Sequence, residues 1–196
     1  MNEIVVDYQD ADPDGVRRVG EAIDGTGFFP GGDGLWRGDE PHGAMPEWFP
    51  KNPVMFVGHN FDKVSGYERS LARGIEVING PTWRKLREYV FHAGLVPGEC
   101  FFTNALMGLQ PIHSRGPLRT TARFRTECRE FLRHQIAIVQ PRAIIALGPV
   151  AAADLEGLEA PIPMLDLMHT YASIRRSEIS QIEGARLRAF LQKASA

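Results

Sequence analysis

Four short apolar segments, separated from one another by helical patterns, constrain the fold of this chain more than any other feature. Uninterrupted apolar runs of this length are typical of strands buried on both faces, as in a parallel sheet. Because parallel neighbours need a crossover connection, the intervening helices predict βαβ units. We therefore expect an α/β protein, a three-layer αβα fold with a central, mostly parallel four-stranded sheet. The predicted strands are Val54–Gly58, Cys100–Leu106, Ala143–Gly148 and Met164–His169.

The helical patterns have recognisable ends and apolar faces. Pro81–Ala93 begins with proline and is followed by Gly94, which is the usual asymmetry of helix termini. Thr121–Gln140 carries its apolar residues on one side, at helical spacing. Three further helices are predicted, over 12–24, Pro149–Leu155 and Ser180–Lys193.

The length of 196 residues, 43% of them hydrophobic, suits a single domain over residues 1–196. Residues 25–53 form a long segment with seven glycines and five prolines, and it also carries Phe28, Phe29, Trp36, Trp48 and Phe49. So many aromatic side chains are not typical of a disordered tail. We expect this segment to be an irregular loop that is ordered against the domain.

Cysteine content and hydropathy exclude several classes of protein. Cys100 and Cys128 are too few for a disulfide framework or for a metal site built on cysteine alone. The first residues lack the basic start and apolar run of a signal peptide, and no apolar stretch reaches the ~20 residues that span a membrane. We expect a cytoplasmic protein, a monomer, with no membrane contact, no metal and no cofactor.

Charge is distributed unevenly along the chain. Residues 1–53 carry four basic and eleven acidic side chains, whereas residues 54–196 carry eighteen basic and thirteen acidic ones. Seven arginines lie between Ser114 and Arg142, opposed there only by Glu127 and Glu130. Such a stripe either tracks the phosphates of a nucleic acid or forms a solvated helix face.

Polar side chains follow the predicted strands. Ligands of open α/β sheets bind at the carboxyl ends of the strands, so these residues mark the expected site. Two histidines, two asparagines, a carboxylate and a tyrosine collect there. They are found in Gly58-His59-Asn60-Phe61-Asp62, Asn104-Ala105-Leu106-Met107-Gly108, Gly148-Pro149 and His169-Thr170-Tyr171.

These segments resemble motifs of the uracil-DNA glycosylase superfamily, over about residues 54–176. Gly58 to Asp62 looks like the first motif, in which an Asp or Asn two residues after glycine positions the attacking water. Asn104 looks like the asparagine that reads uracil, and His169 looks like the histidine of the second motif. Leu132 to Leu155 resembles a structural segment of the four-cysteine branch, although the iron–sulfur cysteines of that branch are absent here.

The resemblance implies a DNA-base glycosylase that hydrolyses the N-glycosidic bond of uracil or a related deaminated base in DNA. Asn60 and His169 would be catalytic, and Asp62 is a rival to Asn60 because a carboxylate accepts a proton. Asn104 would read the base, His59 would contact it, and Phe61 or Tyr67 would stack on it. The arginines proposed to hold DNA phosphates are Arg115, Arg175 and Arg176.

Two departures from the family pattern keep alternatives open. Phe61 stands where proline usually follows the first motif, and Thr170 follows His169 where the family usually has Pro-Ser. One alternative is a superfamily member that binds or processes a nucleobase, nucleotide or nucleoside-like small molecule without excising uracil. Another is a nucleic-acid interaction module without pocket chemistry. The discriminating feature is whether Asn60, Asn104 and His169 converge on one pocket.

Overall fold

The computed structural model describes residues 17–18, 51–73, 80–111, 113, 116–158, 161–170 and 177–194. The strands are β1 Arg17–Arg18, β2 Val54–Lys63, β3 Cys100–Gln110, β4 Ala143–Leu147 and β5 Met164–Leu167. The helices are α1 Val64–Arg73, α2 Pro81–Ala93, α3 Ala122–Val139, α4 Pro149–Leu155 and α5 Ser177–Ala194, with a 3₁₀ turn at Pro97–Glu99.

The sheet has the strand order β1-β3-β2-β4-β5. All pairings among β2, β3, β4 and β5 are parallel, which confirms the predicted four-stranded parallel centre. The two-residue β1 pairs antiparallel with β3 at the edge. The predicted helix over 12–24 is therefore wrong at Arg17 and Arg18, where pairing with β3 overrides a local helical pattern; the rest of that prediction lies outside the described residues.

Successive side chains of each strand point to opposite faces of the sheet and contribute to two apolar cores, one on each face. Met55 and Val57 of β2 face α3 and α4, where Phe131, Leu132 and Leu155 are buried. Val54 and Phe56 face the opposite core, which contains residues of α2 and α5. Helices thus cover both faces, as expected for strands that are apolar throughout.

Helices α2 and α5 cross closely, and a glycine permits it. A Cβ built at Gly184 of α5 would collide with His92 and lie 3.1 Å from the backbone oxygen of Tyr89. Arg188 of α5 donates to the carbonyl oxygens of His92 and Ala93, at 2.7 and 3.3 Å. These bonds satisfy orphan carbonyls at the end of α2, which Gly94 terminates in the left-handed conformation (φ 77°).

The structure extends beyond the sequence prediction mainly at the carboxyl ends of two strands. β2 continues five residues past Gly58 and β3 four residues past Leu106, and α1 was not predicted. After Gly58, β2 continues on His59, Asn60, Asp62 and Lys63, and these polar residues broke the apolar run on which its prediction depended. Most of the predicted loop, residues 25–50, lies outside the described residues. Among the helices that the structure describes, none has both the length and the apolarity to cross a bilayer.

We predict that Gly184→Ala destabilises the protein, although alanine normally favours a helix over glycine. The added methyl group would force α2 and α5 apart, and overpacking of this kind costs about 1–3 kcal/mol. Urea unfolding measures the change in the free energy of unfolding. Gln181→Ala, on the exposed side of the same helix, is the control. Equal stability of Gly184→Ala and the wild type would contradict the close crossing.

Candidate functional site

The site begins where the sheet narrows from four parallel strands to two. β4 pairs with β2 only as far as Val57, opposite Ala146. β2 and β3 continue as a pair to Lys63 and Gln110, with a register shift between Asn60 and Asp62. At Asn60, β2 is therefore paired with β3 but no longer with β4.

A cleft of about 810 Å³ occupies this end of the sheet. Alternation along the strands places Phe56, Gly58 and Asn60 of β2 on the face that α2 covers, together with Phe102 and Asn104 of β3. The cleft therefore lies between the strand ends and the first turn of α2. Its other lining residues include His59, Lys63, Thr82, Trp83, Leu86, Gln110, Gly148, Pro149, His169 and Thr170.

The position of the Asn104 side chain depends on a glycine in the neighbouring strand. Gly58 and Asn104 are register partners across the β2–β3 ladder. The Asn104 carboxamide occupies the space above Gly58, so a Cβ on residue 58 would collide with its Oδ1 atom. The absence of a side chain at Gly58 thus allows the half-buried carboxamide to lie across β2 and face the cleft.

His169 is held against a second glycine. Gly148 follows β4 and adopts φ +91°, a conformation that favours glycine, and its N–H donates to the carbonyl of Leu167 at 2.8 Å. A Cβ at this position would lie 2.8 Å from the Cβ of His169. The end of β4 and the segment after β5 therefore approach so closely that His169 is directed to the cleft beside the start of α4.

An aromatic wall closes the side of the cleft under α2. The rings of Phe56 and Phe102 are stacked, with centroids 5.1 Å apart. Trp83, from the first turn of α2, meets Phe102 edge to face at 5.5 Å. Flat apolar rings beside carboxamide and imidazole groups are suited to a planar, heteroaromatic ligand.

His59 lines the cleft beside Asn60, and its imidazole extends towards α4. Its side chain is buried, with Nε2 3.9 Å from Oδ2 of Asp154 on α4. The other Asp154 oxygen accepts a hydrogen bond from Arg125 of α3. His59 also hydrogen-bonds the side chain of Asn60. Residues of α3 and α4 thus support the strand end from the face opposite Phe56 and Phe102.

Both histidines of the site favour the neutral form. Burial lowers the pKa of His59 below 6.5; Arg125 and His169 act in the same direction, whereas Asp154 and the bond to Asn60 oppose it. Burial also lowers the pKa of His169 below 6.5. Each imidazole is therefore a neutral ring at pH 7, with one N–H donor and one acceptor nitrogen.

Comparison with known families agrees with this geometry. The sequence profile of the Uracil DNA glycosylase superfamily matches residues 46–193, which is most of the chain. The chain belongs to this superfamily. A search of curated proteins found no match.

The structure brings four of the residues predicted from the superfamily motifs to one cleft, Asn60, Asn104, His169 and His59. It does not bring Tyr67 there, because this ring is buried in the interior at 3% exposure and is not part of the cleft lining. Phe61 and Asp62 continue β2, and their side chains lie outside the described part of the structure. Arg115, Arg175 and Arg176 also lie outside it.

Sequence reasoning missed Trp83 and Lys63 as lining residues. Trp83 lies at an apolar position of the pattern that predicts its helix, and only the position of α2 over Phe102 shows that this residue lines the cleft. Lys63 was missed because β2 was predicted to end at Gly58. The sequence contains only a weak signal for either residue. Trp83 lies near the start of a helix and Lys63 directly follows the first motif, and neither position is specific to a binding site.

Four arginines of the stripe form ion pairs within the described part of the structure. Arg123 pairs with Glu127, Arg125 with Asp154, Arg133 with Glu130 and Arg142 with Glu99. This part of the stripe resembles a solvated helix face rather than a track for phosphates. Among the described lining residues the cleft contains one cationic side chain, Lys63, and no carboxylate. The described residues also contain no cluster of three His, Cys, Asp or Glu side chains suited to a metal ion.

We predict that Gly58→Ala lowers the free energy of unfolding by about 1–3 kcal/mol, because the new methyl group and the Asn104 carboxamide would compete for one space. Chemical denaturation measures the loss. Gly98→Ala is the matched control, since a Cβ at Gly98 meets nothing within 4 Å. Combining Gly58→Ala with Asn104→Ala should recover part of the loss; no recovery would show that the two positions do not compete.

We also predict that the protein loses stability as the pH falls below about 6.5. Just below this pH the unfolded chain, with ordinary imidazoles, binds more protons than the folded one, in which the pKa values of His59 and His169 are lowered. Unfolding free energies at pH 7.5 and 5.5 test this. The double variant His59→Asn/His169→Asn should lose less stability over the interval, whereas His134→Asn, on an exposed position of α3, should behave as the wild type. An equal loss in all three proteins would refute the assignment.

Proposed function

We propose that this superfamily member is a DNA-base glycosylase that removes uracil or a related deaminated base and needs no cofactor. The observation that carries the proposal is the convergence of Asn60, Asn104 and His169 on one cleft beside an aromatic wall. The superfamily consists largely of glycosylases, and these three side chains provide the functions that base excision requires. Such an enzyme first extrudes the target nucleotide from the DNA stack.

Asn104 reads the base in this proposal. Uracil presents an N3–H donor beside an O4 acceptor, and a carboxamide offers the matching acceptor and donor. Cytosine presents the reverse pattern, so discrimination requires a carboxamide that cannot rotate freely. The close approach of Asn104 to Gly58 supplies such a restraint. Trp83, a half-buried residue of the cleft lining, takes the stacking role that the sequence assigned to Phe61 or Tyr67.

His169 stabilises the departing base. Cleavage of the N-glycosidic bond leaves negative charge on the base, and an N–H aimed at O2 stabilises that charge in the transition state. A neutral imidazole is suited to this role, because its remaining N–H donates without a prior protonation step. The lowered pKa of His169 supports this form at pH 7. A cleft without a carboxylate among its described lining residues also avoids repulsion of the departing anion.

Asn60 holds the attacking water. A carboxamide is a poor general base, so its contribution is to place the water against the anomeric carbon. Asn60 is half-buried and lines the cleft, so a water bound in the cleft would lie beside it. The hydrogen bond from His59 restrains the Asn60 side chain in this position.

A second candidate is a superfamily protein that binds a free nucleobase, nucleotide or nucleoside-like molecule. Phe61 and Thr170 replace the usual family residues beside the first and second motifs. The described cleft lining also offers a single cationic side chain, Lys63, to the phosphates of a polynucleotide. Both observations favour a small ligand.

We predict strand scission at uracil when the purified protein is incubated with single-stranded or duplex oligonucleotides and abasic sites are then cleaved with alkali. His169→Ala should lower the single-turnover rate about 10²–10³-fold, as expected for the loss of a donor to a developing anion. Asn104→Ala should reduce the rate and relax the preference for uracil over cytosine. The same assay on substrates that contain hypoxanthine, xanthine or mismatched thymine identifies which bases the protein removes.

Two control variants distinguish the site from general damage. His134→Ala and Gln181→Ala remove the same functional groups from exposed positions of α3 and α5 and should leave the rate unchanged. Absence of scission at every base, with wild-type protein in excess at low salt, would reject the glycosylase proposal. A thermal shift with uracil, nucleosides or nucleotides would then support the second candidate.

A further inference from the structure

The segment that presents His169 has left the sheet and is held by side chains from two helices. β5 ends at Leu167, so the peptide groups of Met168 have no strand partner. The Met168 N–H donates to Oε2 of Glu183 at 2.7 Å. The Met168 carbonyl accepts a hydrogen bond from the Tyr89 hydroxyl at 3.2 Å. Both polar backbone groups of the residue before His169 are therefore fixed by side chains.

The Glu183 carboxylate is itself buried and ordered by a cation. Glu183 is 4% exposed. Both oxygens of its carboxylate accept hydrogen bonds from Nη1 of Arg186, at 2.8 and 3.0 Å. Nη2 of Arg186 donates to the carbonyl of Asp166 at 3.1 Å. Burial of a carboxylate is costly unless it is paired and hydrogen-bonded. Here Arg186 and the Met168 N–H both donate to the carboxylate and stabilise its charge. Arg186 also donates to the Asp166 carbonyl, so it is bonded to the same backbone segment as Glu183.

The two helices that supply these side chains cannot shift easily. Glu183 is adjacent to Gly184, where α5 is in close contact with α2, and Tyr89 of α2 is fully buried at the same crossing. On the other side, Gly148 lies against the Cβ of His169. Side chains of α2 and α5 thus fix the backbone before His169, and Gly148 at the end of β4 restricts the position of the His169 Cβ.

We propose that Glu183, assisted by Tyr89, is a positioning residue that fixes the orientation of the His169 imidazole in the cleft. The proposal rests on the proposed function, in which His169 donates to the departing base. A donor contributes fully only when it is aimed at the developing charge, and a displacement of about 1 Å costs up to about 10²-fold in rate. Glu183 lies outside the cleft lining and acts only through the Met168 peptide.

Kinetics of base excision test the proposal with three variants. Glu183→Leu removes the acceptor and should lower the single-turnover rate constant by about 10–10²-fold while leaving KM nearly unchanged. Glu183→Gln retains an acceptor for the Met168 N–H and should recover most of the rate. Tyr89→Phe removes only the hydroxyl and should show an intermediate loss; it carries the test if Glu183→Leu does not fold. Glu88→Gln, which alters a carboxylate paired with Lys85 on α2, is the matched control and should behave as the wild type.

A double variant separates positioning from general stability. In a His169→Ala background, Glu183→Leu should cause no further loss of rate, because the group that it positions is absent. It should still destabilise the fold in both backgrounds. Equal losses of rate with and without His169 would overturn the proposal.

A measurement independent of catalysis distinguishes failure of this inference from failure of the proposed function. Nitrogen–proton NMR of the imidazoles reports the tautomer and the pKa of His169. In Glu183→Leu and Tyr89→Phe we expect changed His169 resonances and a pKa that moves towards 6.5 as the ring reaches solvent, with no such change in Glu88→Gln. His169 resonances that are identical in all variants would overturn the positioning role, whether or not the wild type excises a base. Changed resonances without any excision would support positioning and reject only the glycosylase.

Discussion

The close approach of Gly58 and Asn104 across the β2–β3 ladder is the contact on which the cleft depends. Parallel pairing in register places the two residues opposite each other, and the missing side chain at Gly58 gives the carboxamide its space. The same pairing carries β2 past the end of β4, where Asn60 lines the cleft. A single ladder thus determines where the Asn104 carboxamide lies and how far β2 extends past the end of β4.

Burial sets the chemistry of the site as well as its shape. Phe56, Phe102 and Trp83 form an apolar wall beside the polar strand ends. Low polarity disfavours charged groups, which is why burial lowers the pKa values of His59 and His169. The result is a cleft in which Lys63 is the one charged side chain among the described lining residues, and the imidazole and carboxamide groups are neutral donors and acceptors. Such groups are suited to reading a planar base and to stabilising negative charge that develops during a reaction, since they need no counter-ion in the ground state.

The sequence predicted the regular elements well wherever burial produced a continuous pattern. All four parallel strands were found where they were predicted, and the helices Pro81–Ala93 and Pro149–Leu155 have their predicted bounds. The prediction was less complete where a strand continued on polar residues, as β2 does through Lys63, because pairing with β3 rather than an apolar pattern stabilises that extension. It was wrong at Arg17–Arg18, because this short segment with a helical pattern pairs with β3 at the edge of the sheet.

For the site, the sequence by itself determined which chemical groups stand at the strand ends: Asn60, Asn104 and His169 follow apolar runs, and parallel strands bring their carboxyl ends to one edge. Only the tertiary structure decided which groups share the cleft. It placed Trp83 in the wall and Tyr67 in the interior, because the docking of a helix on a sheet depends on contacts between residues far apart in the chain. It also decided how His169 is held, since Glu183 and Tyr89 reach the Met168 peptide only through the crossing of α2 and α5 at Gly184.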